Sequence, residues 1–199
     1  MNLRDLSDNG KKKEIPKDLY SKLTDAPIEK CTFCDKELLE SNEDYLIEKV
    51  VKRYKQLNSE DVIIEYAICF ECLNEVSSSI SEESQKFIEE FFLKKMDMTK
   101  SNIMKMLSDN FDFKEWTNSC VFTGNKKEDL DEYNLIVQCQ GRNIVFMICP
   151  YMIDSRVFED LYPKLSKQTK EDYGGFMNKV TDPPPEFEEL LKDRPLILL

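Results

Sequence analysis

No histidine occurs among the 199 residues of this chain, and there are only five glycines and one tryptophan. Without histidine, a serine or cysteine nucleophile lacks its usual base. The commonest ligand of a catalytic zinc is missing too. The few glycines form no phosphate-cradling loop: Gly174-Gly175 lies inside a helical pattern, without P-loop or dinucleotide-binding context. Apolar runs are short. The longest, 144–149 and 196–199, fall well below the roughly 20 residues that span a bilayer. The first thirteen residues are charged and carry no apolar core of a signal peptide.

Positive charge is also in short supply. Lys and Arg number 28 against 39 Asp and Glu, a net charge of −11. Both halves are acidic, so a sequence-independent grip on duplex nucleic acid or on acidic lipid is disfavoured. One local basic cluster, Lys49, Lys52, Arg53 and Lys55, could touch phosphates. It reads better as the solvated face of a hairpin, because acidic residues surround it. Hydrophobic residues make up 41% and charged residues 34%, as in an ordinary globular protein. Few glycines with much Lys, Asn, Ile and Glu fit an AT-rich, bacterial coding genome. The expected location is the reducing cytoplasm.

What the chain does have is two Cys-x-x-Cys pairs, Cys31-Thr-Phe-Cys34 and Cys69-Phe-Glu-Cys72. In a reducing compartment such pairs favour metal or redox use over structural disulfides. Four thiolates, paired in two tight turns, suit a closed tetrahedral Zn²⁺ site. A redox role would need only one pair. The expectation is therefore one structural zinc on Cys31, Cys34, Cys69 and Cys72, with no catalytic residues. Phe33, Tyr66 and Phe70 would form a small apolar shell around it.

Runs rich in Val, Ile and Tyr at 45–54 and 62–68 predict a hairpin between the cysteine pairs. Ser81-Glu82-Glu83 starts a helix with Phe87, Phe91 and Met98 on one face, continued by Ile103, Met106 and Leu107. A second hairpin is expected at 133–139 and 143–148, with Gly141 supplying a positive φ at the turn. Helices should follow at 155–161 and 166–178, and a last one after Asp182 and its three prolines.

The two halves read as one unit written twice. Cys31 corresponds to Cys120, Cys69 to Cys149, Ser81 to Ser166, Ser84 to Thr169 and Phe91 to Phe176. The second cysteine of each pair becomes Thr123 and Met152, so the second metal site would be lost. Cys120 and Cys149 would then be free thiols, a disulfide or a weak metal site, and Cys139 a core residue.

The order knuckle, hairpin, knuckle, helix over 31–93 resembles the treble-clef class of zinc modules. That resemblance implies a second ligand pair at the start of a helix, and it leaves function open. The expected architecture is α+β: a leader at 1–30, a zinc-binding unit at 31–118 and a degenerate, metal-free copy at 119–199. The expected function is a cytosolic adaptor or regulator that binds another protein, with immunity or antitoxin proteins as one subset. The alternatives are a nucleic-acid-associated zinc protein using the hairpin 49–55, and an enzyme with its pocket between the two units.

Overall fold

The computed structural model describes residues 10–95, 104–105, 107 and 109–181. Its centre is one antiparallel sheet. The first hairpin joins β2 (Asp44–Tyr54) to β3 (Ser59–Cys69), and the second starts with β4 (Glu132–Gln140) and β5 (Asn143–Phe146). The first turn is tighter than the polar stretch suggests. A single 3-10 turn, Lys55–Leu57, ends at Asn58 with φ +46°. Asparagine is one of the few non-glycine residues that adopts this left-handed backbone readily. Gly141 has φ +54°, and a Cβ there would lie 3.2 Å from the Ser41 carbonyl oxygen. Only glycine fits that turn without strain.

β2 and β4 pair side by side along Asp44–Lys52, with Glu48 opposite Ile136 at the centre. Residues 44–51 of β2 and 133–139 of β4 are buried without alternation. Both faces of these strands are therefore covered, which is why their sequences read as continuous apolar runs. The pairing carries the sheet across the expected boundary at 118/119, and one hydrophobic core spans both halves.

Three elements differ from the sequence expectation. The leader is not loose: β1 (Lys11–Glu14) pairs with β5 as an edge strand, and Ile15 and Leu19 behind it are buried. All four β1 residues are exposed, so no apolar alternation announces the strand. A helix, α1 (Phe70–Ser79), precedes the one expected from Ser81, which becomes α2 (Glu82–Lys95). Finally, the second arm of the second hairpin breaks. The chain leaves the sheet at 147–150 and re-enters as β6 (Tyr151–Asp154), paired with Tyr133–Ile136.

A short turn of helix, α3 (Phe113–Trp116), is capped by the Asp112 carboxylate, which accepts from the Glu115 amide. The expected helices after the second hairpin are present as α4 (Arg156–Leu161) and α5 (Lys167–Thr181). Met98, Ile103, Met106 and the helix expected after Asp182 lie outside the described residues.

The starts of α2 and α5 meet and cap each other. Ser81 Oγ lies 2.8 Å from Ser166 Oγ. The Ser81 amide donates to Thr169 Oγ1, and the Ser166 amide donates to Ser84 Oγ. Within each helix the same reach recurs: Ser84 N donates to Ser81 Oγ and Thr169 N donates to Ser166 Oγ. First-turn amides have no intrahelical acceptor, so these hydroxyls satisfy donors that would otherwise be left bare.

Candidate metal centre

The first cysteine pair sits in a turn that its own backbone closes. Cys31 N donates to Lys36 O at 2.9 Å, Asp35 N donates to Cys31 O at 3.0 Å, and Asp35 takes φ +58°. Thr32 N donates to Ala67 O at 2.8 Å, which docks the turn on the outer edge of β3. The second pair needs no loop of its own. Cys69 ends β3 and is the N-cap residue of α1, and Cys72 lies in the first turn of that helix. The cysteine spacing therefore marks a strand-to-helix junction.

This brings all four sulfurs together. One ligand atom from each of Cys31, Cys34, Cys69 and Cys72 lies within 4.8 Å of the others. Cys34 Sγ and Cys69 Sγ are 3.7 Å apart. A Zn–S bond of about 2.3 Å gives a tetrahedron edge of about 3.8 Å, so the donor set and its size fit such an ion. Cys31, Cys69 and Cys72 are buried and Cys34 is exposed.

Amides prepare this site for negative charge. Burial would push the Cys31 thiol up, but the backbone N–H groups of Cys69, Phe33 and Cys34 outweigh it and hold the thiol below its ordinary value. Cys69 and Cys72 lie above theirs, raised first by burial and further by the neighbouring thiols. One thiolate is favoured, and each additional one is opposed until a cation balances it.

Phe33, Tyr66 and Phe70, the residues expected to shield the metal, all belong to the apolar core or pack on it. Phe33 meets Tyr66 edge-on at 6.3 Å and stacks on Phe176 of α5 at 4.6 Å. Phe70 packs half-buried against the core. A polar rim lies outside: Lys36 reaches both Glu43 and Glu71.

Around Cys120 the backbone repeats the first turn. Cys120 N donates to Asn125 O, Gly124 N to Cys120 O, and Val121 N to Met152 O. Gly124 has φ +70°, where Asp35 has +58°. Asp154 N donates to Cys120 Sγ at 3.2 Å, as Cys69 N does to Cys31 Sγ at 3.4 Å.

That geometry corrects the sequence alignment of the second site. The position matching Cys69 is Asp154, not Cys149, and the position matching Cys72 is Val157, not Met152. The segment Tyr66-Ala67-Ile68 corresponds in register to Tyr151-Met152-Ile153: Tyr45 opposes Cys69 as Tyr133 opposes Asp154. The break at 147–150 displaces Cys149 from the strand. All seven cysteines are free. Burial pushes the Cys149 thiol up to about 12, and that thiol in turn helps raise the buried Cys139.

In place of a ligand, Asp154 holds Arg156 in a two-pronged ion pair, with Nη2–Oδ2 at 2.6 Å and Nε–Oδ1 at 3.0 Å. Sequence reading missed both residues. The shared Tyr-x-Ile triplet was the available signal, and the shared Ile-Cys dipeptide obscured it.

The basic cluster is not a free phosphate-binding face. Lys49 is only 1% exposed, and its ammonium donates to Tyr20 O at 2.6 Å and to Glu65 at 3.0 Å. Arg53 donates to Lys127 O, and Lys55 to Asp129 O. No protein-family model, no curated protein and no solved structure matches this chain.

Proposed function

We propose that this protein is a zinc-stabilised scaffold of the cytoplasm that acts by binding another protein. The observation that carries the reading is the closed four-thiolate set. Four cysteines fill every position of a tetrahedral ion, so the metal would fasten the knuckle to the β3–α1 junction and present nothing to a substrate. Cys31, Cys34, Cys69 and Cys72 would hold one Zn²⁺, and binding it would contribute folding free energy outright.

Two treble-clef-like units, the second without metal, form the scaffold in this reading. The matched turns around Cys31 and Cys120, the paired β2 and β4, and the mutual caps of α2 and α5 support the duplication. A net charge of −11 favours a basic partner surface, as an immunity or antitoxin protein would require. The nucleic-acid alternative loses support, because Lys49, Arg53 and Lys55 are engaged within the chain.

Two measurements test the reading. Metal analysis of the purified chain should give one zinc per molecule. A gel shift with duplex DNA or with RNA at physiological salt should show no complex. A complex at micromolar or tighter affinity would replace the protein partner with nucleic acid.

A further inference from the structure

The sheet face opposite α5 holds a cleft of about 460 Å³, away from the four cysteines. Its floor is apolar, made by Val51, Val62 and Leu135, with Phe113 at one side. Four lysines reach it: Lys22, Lys49, Lys114 and Lys127, against the carboxylates of Asp18 and Glu60.

Each lysine's bonding shows how much positive charge is left for a guest. Lys127 is spent on Glu60 at 3.2 Å and lies over the Tyr133 ring at 5.0 Å. Glu60 also accepts the Tyr133 hydroxyl at 3.1 Å, with Arg53 Nε at 3.7 Å. Glu60 is therefore more than neutralised. Lys49 uses two of its three N–H donors, on Tyr20 O and Glu65. Lys22 and Lys114 are exposed at the rim, and neither ammonium has a carboxylate partner among the described residues.

A chain with net charge −11 thus gathers positive charge at a concave place. The four lysines outnumber the two carboxylates, Asp18 and Glu60, that line the same cleft, and a concave surface with charge of mostly one sign favours a small anion over bulk solvent. We infer that this cleft binds a small organic anion, its phosphate or carboxylate between Lys22 and Lys114 and its apolar body on Val51, Val62 and Leu135. The volume lies in the range of small-molecule pockets, roughly 300–1,000 Å³. The inference stands apart from the zinc centre and from the adaptor reading.

The test is calorimetric titration of the full chain with AMP and, separately, with citrate. At least one should bind saturably at low millimolar concentration or below. Lys22→Glu with Lys114→Glu should weaken that binding by roughly tenfold or more. Both positions are exposed, so the double variant should keep the wild-type circular dichroism and melting temperature. Val62→Trp fills the floor and should abolish binding. The inference is overturned if neither probe saturates, or if binding survives the Lys22/Lys114 double variant or Val62→Trp in a folded protein.

Discussion

Around Cys31 and around Cys120 the chain folds the same way. Each cysteine accepts an amide from the end of a strand, each turn closes through a left-handed fifth residue, and each docks on the carbonyl two residues before that strand end. The contents differ. The first turn gathers four sulfurs into one cluster. The second keeps one thiol, and the positions matching Cys69 and Cys72 carry Asp154, paired with the exposed Arg156, and the buried Val157. The same backbone turn thus carries two side-chain chemistries: four clustered thiols, or one thiol beside an ion pair and an apolar side chain.

The largest effect should come from removing a thiolate on the metal side. A structural zinc supplies about 10 kcal/mol or more of folding free energy in small modules, comparable with the whole stability of an ordinary domain. Cys34→Ser should lower the zinc content from one per chain to near zero and melt the protein far below wild type. Cys120→Ser should leave the zinc content at one. If Cys120→Ser also empties the metal, the two turns are not separate and the comparison fails. The sharper version restores ligands to the second turn: Thr123→Cys, Asp154→Cys and Val157→Cys together should raise the content to two.

A smaller effect should separate the two central strands. In the β2–β4 register, Lys49 sits where the symmetric position on β4 carries the fully buried Val137. Lys49→Met removes the ammonium paired with Glu65, whose carboxylate keeps the Ser21 hydroxyl and the Lys22 amide as donors. It should cost about 3 kcal/mol, the low end of the range for breaking a buried pair. Adding Glu65→Gln should recover most of that loss, and chemical denaturation of the three variants would measure it.

The same pair predicts a pH dependence. Burial would raise the Glu65 carboxyl, but hydrogen bonds from Ser21 and Lys49 outweigh it and hold it below its ordinary value. A depressed carboxylate contributes stability that is fully present above its unfolded value, about 4.3, and is lost as pH falls through the lower folded value. Stability should therefore drop between about pH 4 and more acidic conditions, and Glu65→Gln should flatten that limb. An unchanged acid limb would show that Glu65 is not held down by Lys49 and Ser21.

The sequence disclosed elements whose signal was local. Both hairpins followed from Val, Ile and Tyr runs, Gly141 from its turn, and the four-cysteine cluster from its spacing. It hid elements whose cause lies elsewhere in the fold. β1 is four exposed charged residues, a strand only because β5 offers an open edge. α1 is rich in serine and buries only Cys72 and Leu73, so its apolar periodicity is faint. Lys49 read as a surface residue because lysine usually is one, whereas Tyr20 O and Glu65 provide for it inside. Asp154 was missed because a four-residue break in a strand shifts register without changing composition.

The smallest effect should be equal on the two sides of the α2–α5 contact. Ser81 and Ser166 each accept the amide three residues on, and each hydroxyl touches the other. Loss of an N-cap side chain typically costs about 1 kcal/mol. Ser81→Ala and Ser166→Ala should therefore each lower stability by about that amount in chemical denaturation. The two hydroxyls share one hydrogen bond, so removing the second after the first deletes less. The double variant should then cost less than the sum of the singles, by about 0.5 kcal/mol or more. Additive losses would mean that the caps act independently and that the 2.8 Å contact contributes nothing. A large loss at one serine beside none at the other would break the equivalence of the two helix starts while leaving the metal centre untouched.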